Sequence, residues 1–265
     1  MTPSVASFAD LLDKAVTEPG IISDAYRQFH NYSFGNQLLA WSQCIERQIQ
    51  PGPLATFPKW KSLGRYVRKG EKAIVLCQPV TIKRKQEQGE TDDPEVFVKF
   101  TYRPAWFVLA QTAGDELPPV TIPTWDRARA LASLNVTEEP FAHLDGNVQG
   151  YARQRTIAVS PVAAMPYKTT FHELAHVLLG HTSEGEHADG ELTPRNLREC
   201  EAESVALLCC AALDLPGVEC SRGYIQSWWG QGNPIPERSA QRILKAADQV
   251  LKAGRPADAS AEEVR

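Results

Sequence analysis

The sequence predicts an α+β protein of two domains: an N-terminal domain of helices plus a small antiparallel sheet, and a C-terminal domain that is mostly helical. Three observations predict it. The chain has 265 residues and is 43% hydrophobic, enough for two cores. Apolar spacing is helical before Pro51 and again after Asp126. Between them lie two β-rich runs, Ala73 to Ile82 and Val96 to Leu109. The expected division is 1–118 and 119–252, followed by a disordered tail over 253–265.

Val5, Phe8, Leu12, Ala15 and Val16 share one helix face, and Pro19-Gly20 ends that run. Ile22, Ala25, Tyr26 and Phe29 predict a second helix, and Ser33 is placed to cap a third through Leu38, Leu39 and Trp41. Pro51-Gly52-Pro53 breaks the chain, a short helix around Trp60–Leu63 should end at Gly64, and Gly70-Glu71 reads as a turn. The polar stretch KRKQEQGETDDPE joins the two β-rich runs, and the proline-rich segment 115–123 reads as the linker.

Beyond the linker come a helix near Asp126–Leu134 and a hairpin-like stretch, GNVQGYARQRTIAVSP. A helix carrying HELAH follows, then an acidic loop over 184–191. A helix that Thr193-Pro194 would start runs to about Leu213, and the last helix covers roughly 237–251.

Composition narrows the class of protein. The six cysteines form no CxxC pair and no regular framework, which favours a reducing compartment. The N-terminal residues lack a charged leader with an apolar core, and the apolar run Val205–Leu213 is far below the ~20 residues that span a bilayer. A cytoplasmic location is expected. Net charge is −4, but residues 57–85 hold nine cations against one acid, leaving −12 on the remainder. A basic segment in an acidic chain is the electrostatic footprint of a polyanion binder.

His172 and His176 are four residues apart, which places both imidazoles on one helix face with Glu173 beside them. In this HExxH arrangement two His bind Zn²⁺ and the Glu acts as general base on bound water. A catalytic ion needs a third protein ligand. The metzincin pattern is absent, because Leu179 and Thr182 stand where it wants Gly and His. Downstream, Glu199 and Glu203 share a face of an otherwise apolar helix, with Glu201 turned elsewhere. Carboxylates on the buried side of such a helix demand cations or a metal. His181, after Gly180, suits a helix C-terminus, where a cation meets the negative end of the dipole, and His187 lies in the acidic loop.

This second half resembles the glutamate-zincin metallopeptidases, in which a Glu on a second helix is the third ligand. The resemblance implies a zincin-like metallopeptidase domain with Glu199 as ligand and Glu203 orienting an imidazole. Glu stands at 203 where Asp or Asn is commoner, and Glu201 and Glu203 compete with Glu199 for the ligand role. Zn²⁺ is the expected ion, Mn²⁺ the other candidate. Gln154 to Pro161 is the candidate substrate-pairing strand of the cleft, and Tyr151, Tyr167 and Tyr224 are the candidate oxyanion donors.

In the first half, NYSFGNQLLAWSQ (31–43), TFPKWKSLGRYVRKGEKAIVLCQPV (56–80) and FVLAQTAGDELP (107–118) resemble, in order, the N-terminal domain of the ArdC-type antirestriction proteins. That resemblance reaches from about Ile21 to Leu213. It implies a single-stranded DNA-binding domain ahead of a zincin-like domain, on proteins of plasmids and other mobile elements that shield incoming DNA from restriction. The residues themselves fit, because Trp60 between Lys59 and Lys61, with Phe57 and Tyr66 near, interleaves aromatics with cations. Arg65, Arg68, Lys69 and Lys72 flank the Gly70 turn. The expected DNA-binding set is therefore Lys59, Trp60, Lys61, Arg65, Arg68, Lys69 and Lys72, with Trp60, Phe57 and Tyr66 as core residues the other reading. A restriction enzyme is the candidate protein substrate.

Two rival classes stand beside this one. One is a DNA-binding protein whose zincin domain is structural or vestigial. The other is a metal enzyme acting on DNA itself, for which a lone His₂Glu site lacks the usual two-metal carboxylate cluster.

Overall fold

Ser7 opens the first helix, α1 (Phe8–Thr17), by accepting a hydrogen bond from the Asp10 N–H. This computed structural model describes residues 6–83, 96–118, 121–143, 148–182, 194–229 and 234–256. Gly20, at φ +90°, turns the chain into α2 (Ile21–Phe29), and α3 covers Phe34–Glu46. The chain divides within α3 into two compact units, Met1–Leu38 with Val120–Arg265, and Leu39–Pro119.

The first 38 residues thus go with the C-terminal half, whereas the sequence places one cut near residue 118. The reason lies in what the apolar faces meet. Leu12, Val16, Ile22 and Phe29 are buried, and the Glu237 carboxylate accepts from the free N–H groups of Phe8 and Ala9 at the start of α1. Arg255 donates to the His30 carbonyl and to the Tyr26 hydroxyl. Periodicity identifies a buried face without naming its partner.

In the middle unit, β1 (Leu54–Thr56) leads into α4 (Phe57–Ser62), and Gly64 at φ +72° reverses the chain into β2 (Arg65–Val67). The long strands β3 (Ile74–Lys83) and β4 (Val96–Val108) pair antiparallel in a sheet of order β1-β4-β3. After a 3-10 turn at Leu109–Gln111, β5 (Thr112–Gly114) pairs antiparallel with β2. The Gln43 side chain accepts from the Val75 N–H and donates to its carbonyl, mimicking a strand partner and tying α3 to β3. Trp60 is 1% exposed, and its indole N–H donates to the Phe107 carbonyl over 2.8 Å.

The larger unit resumes with α5 (Arg127–Ser133), capped by Asp126, and β6 (Thr137–Glu138). Then come β7 (Gly150–Arg153), β8 (Thr156–Val159), α6 (Pro166–Leu178), α7 (Arg195–Ala212), α8 (Val218–Trp229) and α9 (Glu237–Ala253). β8 is the middle strand, parallel to β6 and antiparallel to β7. Arg127 clamps the Glu138 carboxylate with two nitrogens at 2.6 and 2.8 Å and donates to Thr170, which links α5, β6 and α6.

Two features differ from expectation. Helix α8 occupies a stretch where the sequence pattern predicts no element, because Gly223 and Ser221 interrupt its apolar spacing. The expected disordered tail starts too early, since Ala253 ends α9 and Arg255 is buried. All six cysteines are free, with Cys209 and Cys210 in the α7 core. The joining stretch 84–95, the acidic loop 184–191 with His187, and the tail from 257 lie outside the described residues. Among the described residues no helix is long and apolar enough to cross a membrane.

Because Trp60 fills the middle unit's core, Trp60→Ala should cost ~3–5 kcal/mol of stability. Urea unfolding of the variant checks this, and a loss under ~1 kcal/mol would contradict the packing described.

Candidate metal centre

Pro166 starts α6, where a missing N–H costs nothing. Phe171, Leu174, Ala175 and Val177 bury one side of the helix, which leaves His172 and His176 on the side facing α7. Their Nε2 atoms stand 3.1 Å apart, and one Glu199 oxygen lies 3.4 Å from the first and 3.6 Å from the second. A tetrahedral ion with bonds of ~2.0–2.1 Å sets its ligand atoms about 3.3 Å from one another. The triangle therefore fits one divalent ion. It is the one cluster of this kind among the described residues.

Each imidazole is held from behind. His172 Nδ1 bonds Glu203 Oε2 at 2.9 Å, and Lys168 Nζ sits 2.6 Å from Glu203 Oε1. His176 Nδ1 faces His181 Nδ1 at 3.0 Å, and His181 Nε2 faces Glu201 Oε2 at 2.9 Å. Of the three glutamates in competition, only Glu199 reaches both Nε2 atoms. Glu203 and Glu201 are each occupied behind an imidazole.

His181 lies at the helix end where the sequence reading put it, but it serves there as a ring behind His176 and not as a cation on the dipole. It folds back because Gly180 takes φ +75° at the end of α6. Its N–H then reaches the His176 carbonyl (2.9 Å) while the Gly180 N–H reaches that of Val177 (3.3 Å). This Schellman turn sets a ring five residues on beside the ring of His176. The LGH ending after HELAH was the available signal.

The charges follow the contacts. Burial opposes a proton on His172, but hydrogen bonds to Glu199 and Glu203 outweigh it and raise its pKa to about 9. Hydrogen bonds from His172 and His176 hold Glu199 below the usual carboxylate range. Burial works to raise Glu203, yet its bonds to His172 and Lys168 bring it down to about 2. Glu173 is shifted the other way: burial raises its pKa, against the pull of the two imidazoles.

A cleft of about 390 Å³ opens over the triangle, lined by Gly150, Tyr151, Ala152, Glu173, Arg195 and Arg198 among others. A Cβ on Gly150 would lie 2.6 Å from Thr169 Cγ2 and 3.0 Å from both the Ala158 carbonyl and Glu173 Oε1, so a side chain there would crowd α6. The expected cleft strand needs correction. Residues 156–159 form the middle strand, paired on both sides, and the edge strand along the cleft is β7. Of the three tyrosines, Tyr151 lines the cleft. Tyr167 packs against Trp125 and Phe171. Burial, then the Glu199 charge, raises the Tyr224 pKa.

The candidate DNA-binding residues separate into three kinds. Trp60 is buried and cannot stack a base. Arg65 spends its guanidinium on Thr112 Oγ1 (2.9 Å), the Gly114 carbonyl and the Asp115 carbonyl, and Arg68 pairs with Glu71 at 2.9 Å. Lys59, Lys61, Lys69 and Lys72 are exposed, as are Phe57 at 52% and Tyr66 at 61%. The Lys83 side chain, Arg84 and Lys85 lie outside the described residues.

Fold and site define a mixed helix-and-sheet protein with a His₂Glu cluster between two helices of its larger unit. Residues 14–104 match the family model of the N-terminal domain of the anti-restriction factor ArdC. The metal-free crystal structure of the antirestriction protein ArdC from plasmid R388 is similar over 97% of each chain, at 21% identity and a TM-score of 0.53. Its Mn(II)-bound structure is similar over 93% of this chain and 97% of that one, at 21% identity and a TM-score of 0.51. No curated protein sequence matches the chain. Residues 14–104 thus match an ArdC-type N-terminal domain, and the fold is similar to that of ArdC along nearly the whole chain.

A metal ligand must shed its proton, so metal-free His172, with its pKa near 9, makes binding proton-coupled. Below that pH the proton competes and above it competition ends. Affinity for a divalent ion should therefore rise about tenfold per pH unit from pH 6 to about 9 and level off. Calorimetric titration across that range checks the slope. His176→Ala should abolish binding, and retained metal in that variant would contradict the triangle.

Proposed function

We propose that this is a single-stranded DNA-binding antirestriction protein whose larger unit is a metal-dependent peptidase of the zincin type. The observation that carries the reading is the ligand triangle of His172, His176 and Glu199, with the buried carboxylate of Glu173 beside it. The proposed metal is Zn²⁺, with Mn²⁺ the alternative in view of the Mn(II)-bound ArdC structure. Such an ion lowers the pKa of a bound water to ~7 and polarises a carbonyl.

The chain's own residues supply the rest. An extended peptide adds to the free edge of β7, which brings its carbonyl over the triangle. Glu173 takes a proton from the water as the water oxygen bonds to the peptide's carbonyl carbon, and passes it to the departing amine nitrogen as the C–N bond breaks. Its raised pKa suits that exchange near neutral pH.

The middle unit supports the DNA reading through Lys59, Lys61, Lys69 and Lys72, with Phe57 and Tyr66 as exposed stacking faces in place of Trp60. Because both units share one chain, bound DNA would raise the local concentration of DNA-associated proteins for the peptidase. A restriction enzyme in the cytoplasm is the substrate this proposes.

Glu173→Gln tests the chemistry: metal content should persist while peptide hydrolysis drops 10²–10⁴-fold. Antirestriction equal to wild type in that variant would leave DNA coating as the whole function. For the DNA, single-strand affinity should fall with salt at a log–log slope of roughly −3, from about −0.7 for each of four phosphates neutralised. Alanine at the four lysines should flatten that slope, and Tyr66→Ala should cost ~1–3 kcal/mol. Salt-independent binding or a preference for duplex would overturn the assignment.

A further inference from the structure

The two imidazoles of the triangle are not supported alike. At Nδ1, His172 leans directly on a carboxylate, whereas His176 reaches one there only through a second imidazole. We propose that the hydrogen-bonded pair of Glu201 and His181, with Arg242 as the ion-pair partner of Glu201, forms a relay that presets the tautomer of His176 and so tightens metal binding at its Nε2. His181, Glu201 and Arg242 are positioning residues here, and the inference rests on the metal reading above.

The direction of the relay follows from what each group is able to do. Glu201 has no exposure at all, and Arg242 Nη1 lies 3.5 Å from its Oε1. A carboxylate accepts hydrogen bonds and donates none. His181 Nε2, 2.9 Å from Glu201 Oε2, must then carry the proton and donate it. A neutral imidazole protonated there has a bare Nδ1, which only accepts. His176 Nδ1, 3.0 Å away, is therefore the donor of that contact. The one nitrogen left bare on His176 is Nε2, the atom that faces His172 and Glu199.

His181 is 2% exposed, and the carboxylate it meets also faces the Arg242 cation, so a second positive charge on the ring would stand uncompensated in a buried site, which leaves the ring neutral. Arg242 is itself fixed by donating to the Leu179 carbonyl, one residue before the Gly180 turn. The relay is thus built into the end of α6, and Glu201→His181→His176 leaves no freedom in the last tautomer.

Nitrogen-15 NMR of the imidazoles in metal-free wild type reads the tautomers directly. The expected pattern is His176 protonated on Nδ1 and His181 on Nε2. His176 protonated on Nε2 instead would overturn the proposal. Calorimetry with Zn²⁺ or Mn²⁺ alone gives the second readout. His181→Phe should raise the dissociation constant 10–100-fold and release His176 to the Nε2–H form, in line with the usual effect of groups behind a metal ligand. Glu201→Gln, which keeps the buried shape, should weaken metal binding about tenfold and decides the matter where His181→Phe fails to fold. Wild-type affinity in both variants overturns the relay. A wild type that binds no metal overturns the metal reading instead, and the tautomer pattern then still tests the relay.

Discussion

Two glutamates buried in the middle of α7 constrain the larger unit more than any other feature. Glu201 and Glu203 sit among Cys200, Ala202, Val205 and Ala206, all without exposure. A carboxylate there is tolerable only with charge-bearing or hydrogen-bonding partners. Glu203 takes Lys168 and His172 from α6, and Glu201 takes His181 from the turn after α6 and Arg242 from α9. Satisfying these two carboxylates fixes how α6 lies on α7, and with it where His172, Glu173 and His176 point.

Buried ion pairs of this kind add little net stability over well-packed apolar residues. What they contribute here is direction. Each carboxylate occupies the far nitrogen of an imidazole, one directly and one through His181, and turns both near nitrogens toward Glu199. The small unpaired groups matter equally. Gly150 has no side chain where one would crowd α6, and Gly180 adopts the positive φ that brings His181 back. Removing side chains at these two points is as much a part of the centre as supplying ligands.

The middle unit divides its cations by chemistry. Arg65 and Arg68 use their planar guanidinium groups to hold backbone carbonyls and Glu71, as the rigid fork of arginine allows. Beside the exposed Arg68, the exposed cations Lys59, Lys61, Lys69 and Lys72 are compact charges on flexible stems that suit phosphates without fixed geometry. Trp60, flanked by two of them, points inward and bonds Phe107, while Phe57 and Tyr66 stay outside.

Much of this was legible in the sequence. Helix spacing and the two β-rich runs depend on neighbours within a few residues, and a single chain segment records them. The i, i+4 histidines and the shared face of Glu199 and Glu203 are likewise properties of one helix. Which glutamate reaches both imidazoles, that α1 and α2 join the C-terminal half, and that Trp60 faces the core were decided elsewhere. Each depends on a surface contributed from far along the chain: α7 against α6, Glu237 and Arg255 against the first helices, Phe107 over Trp60. Amphipathic spacing states that a face is buried and is silent about what buries it. Only the tertiary structure supplies the partner, and with it the difference between the carboxylate that meets both Nε2 atoms and those that stand behind the rings.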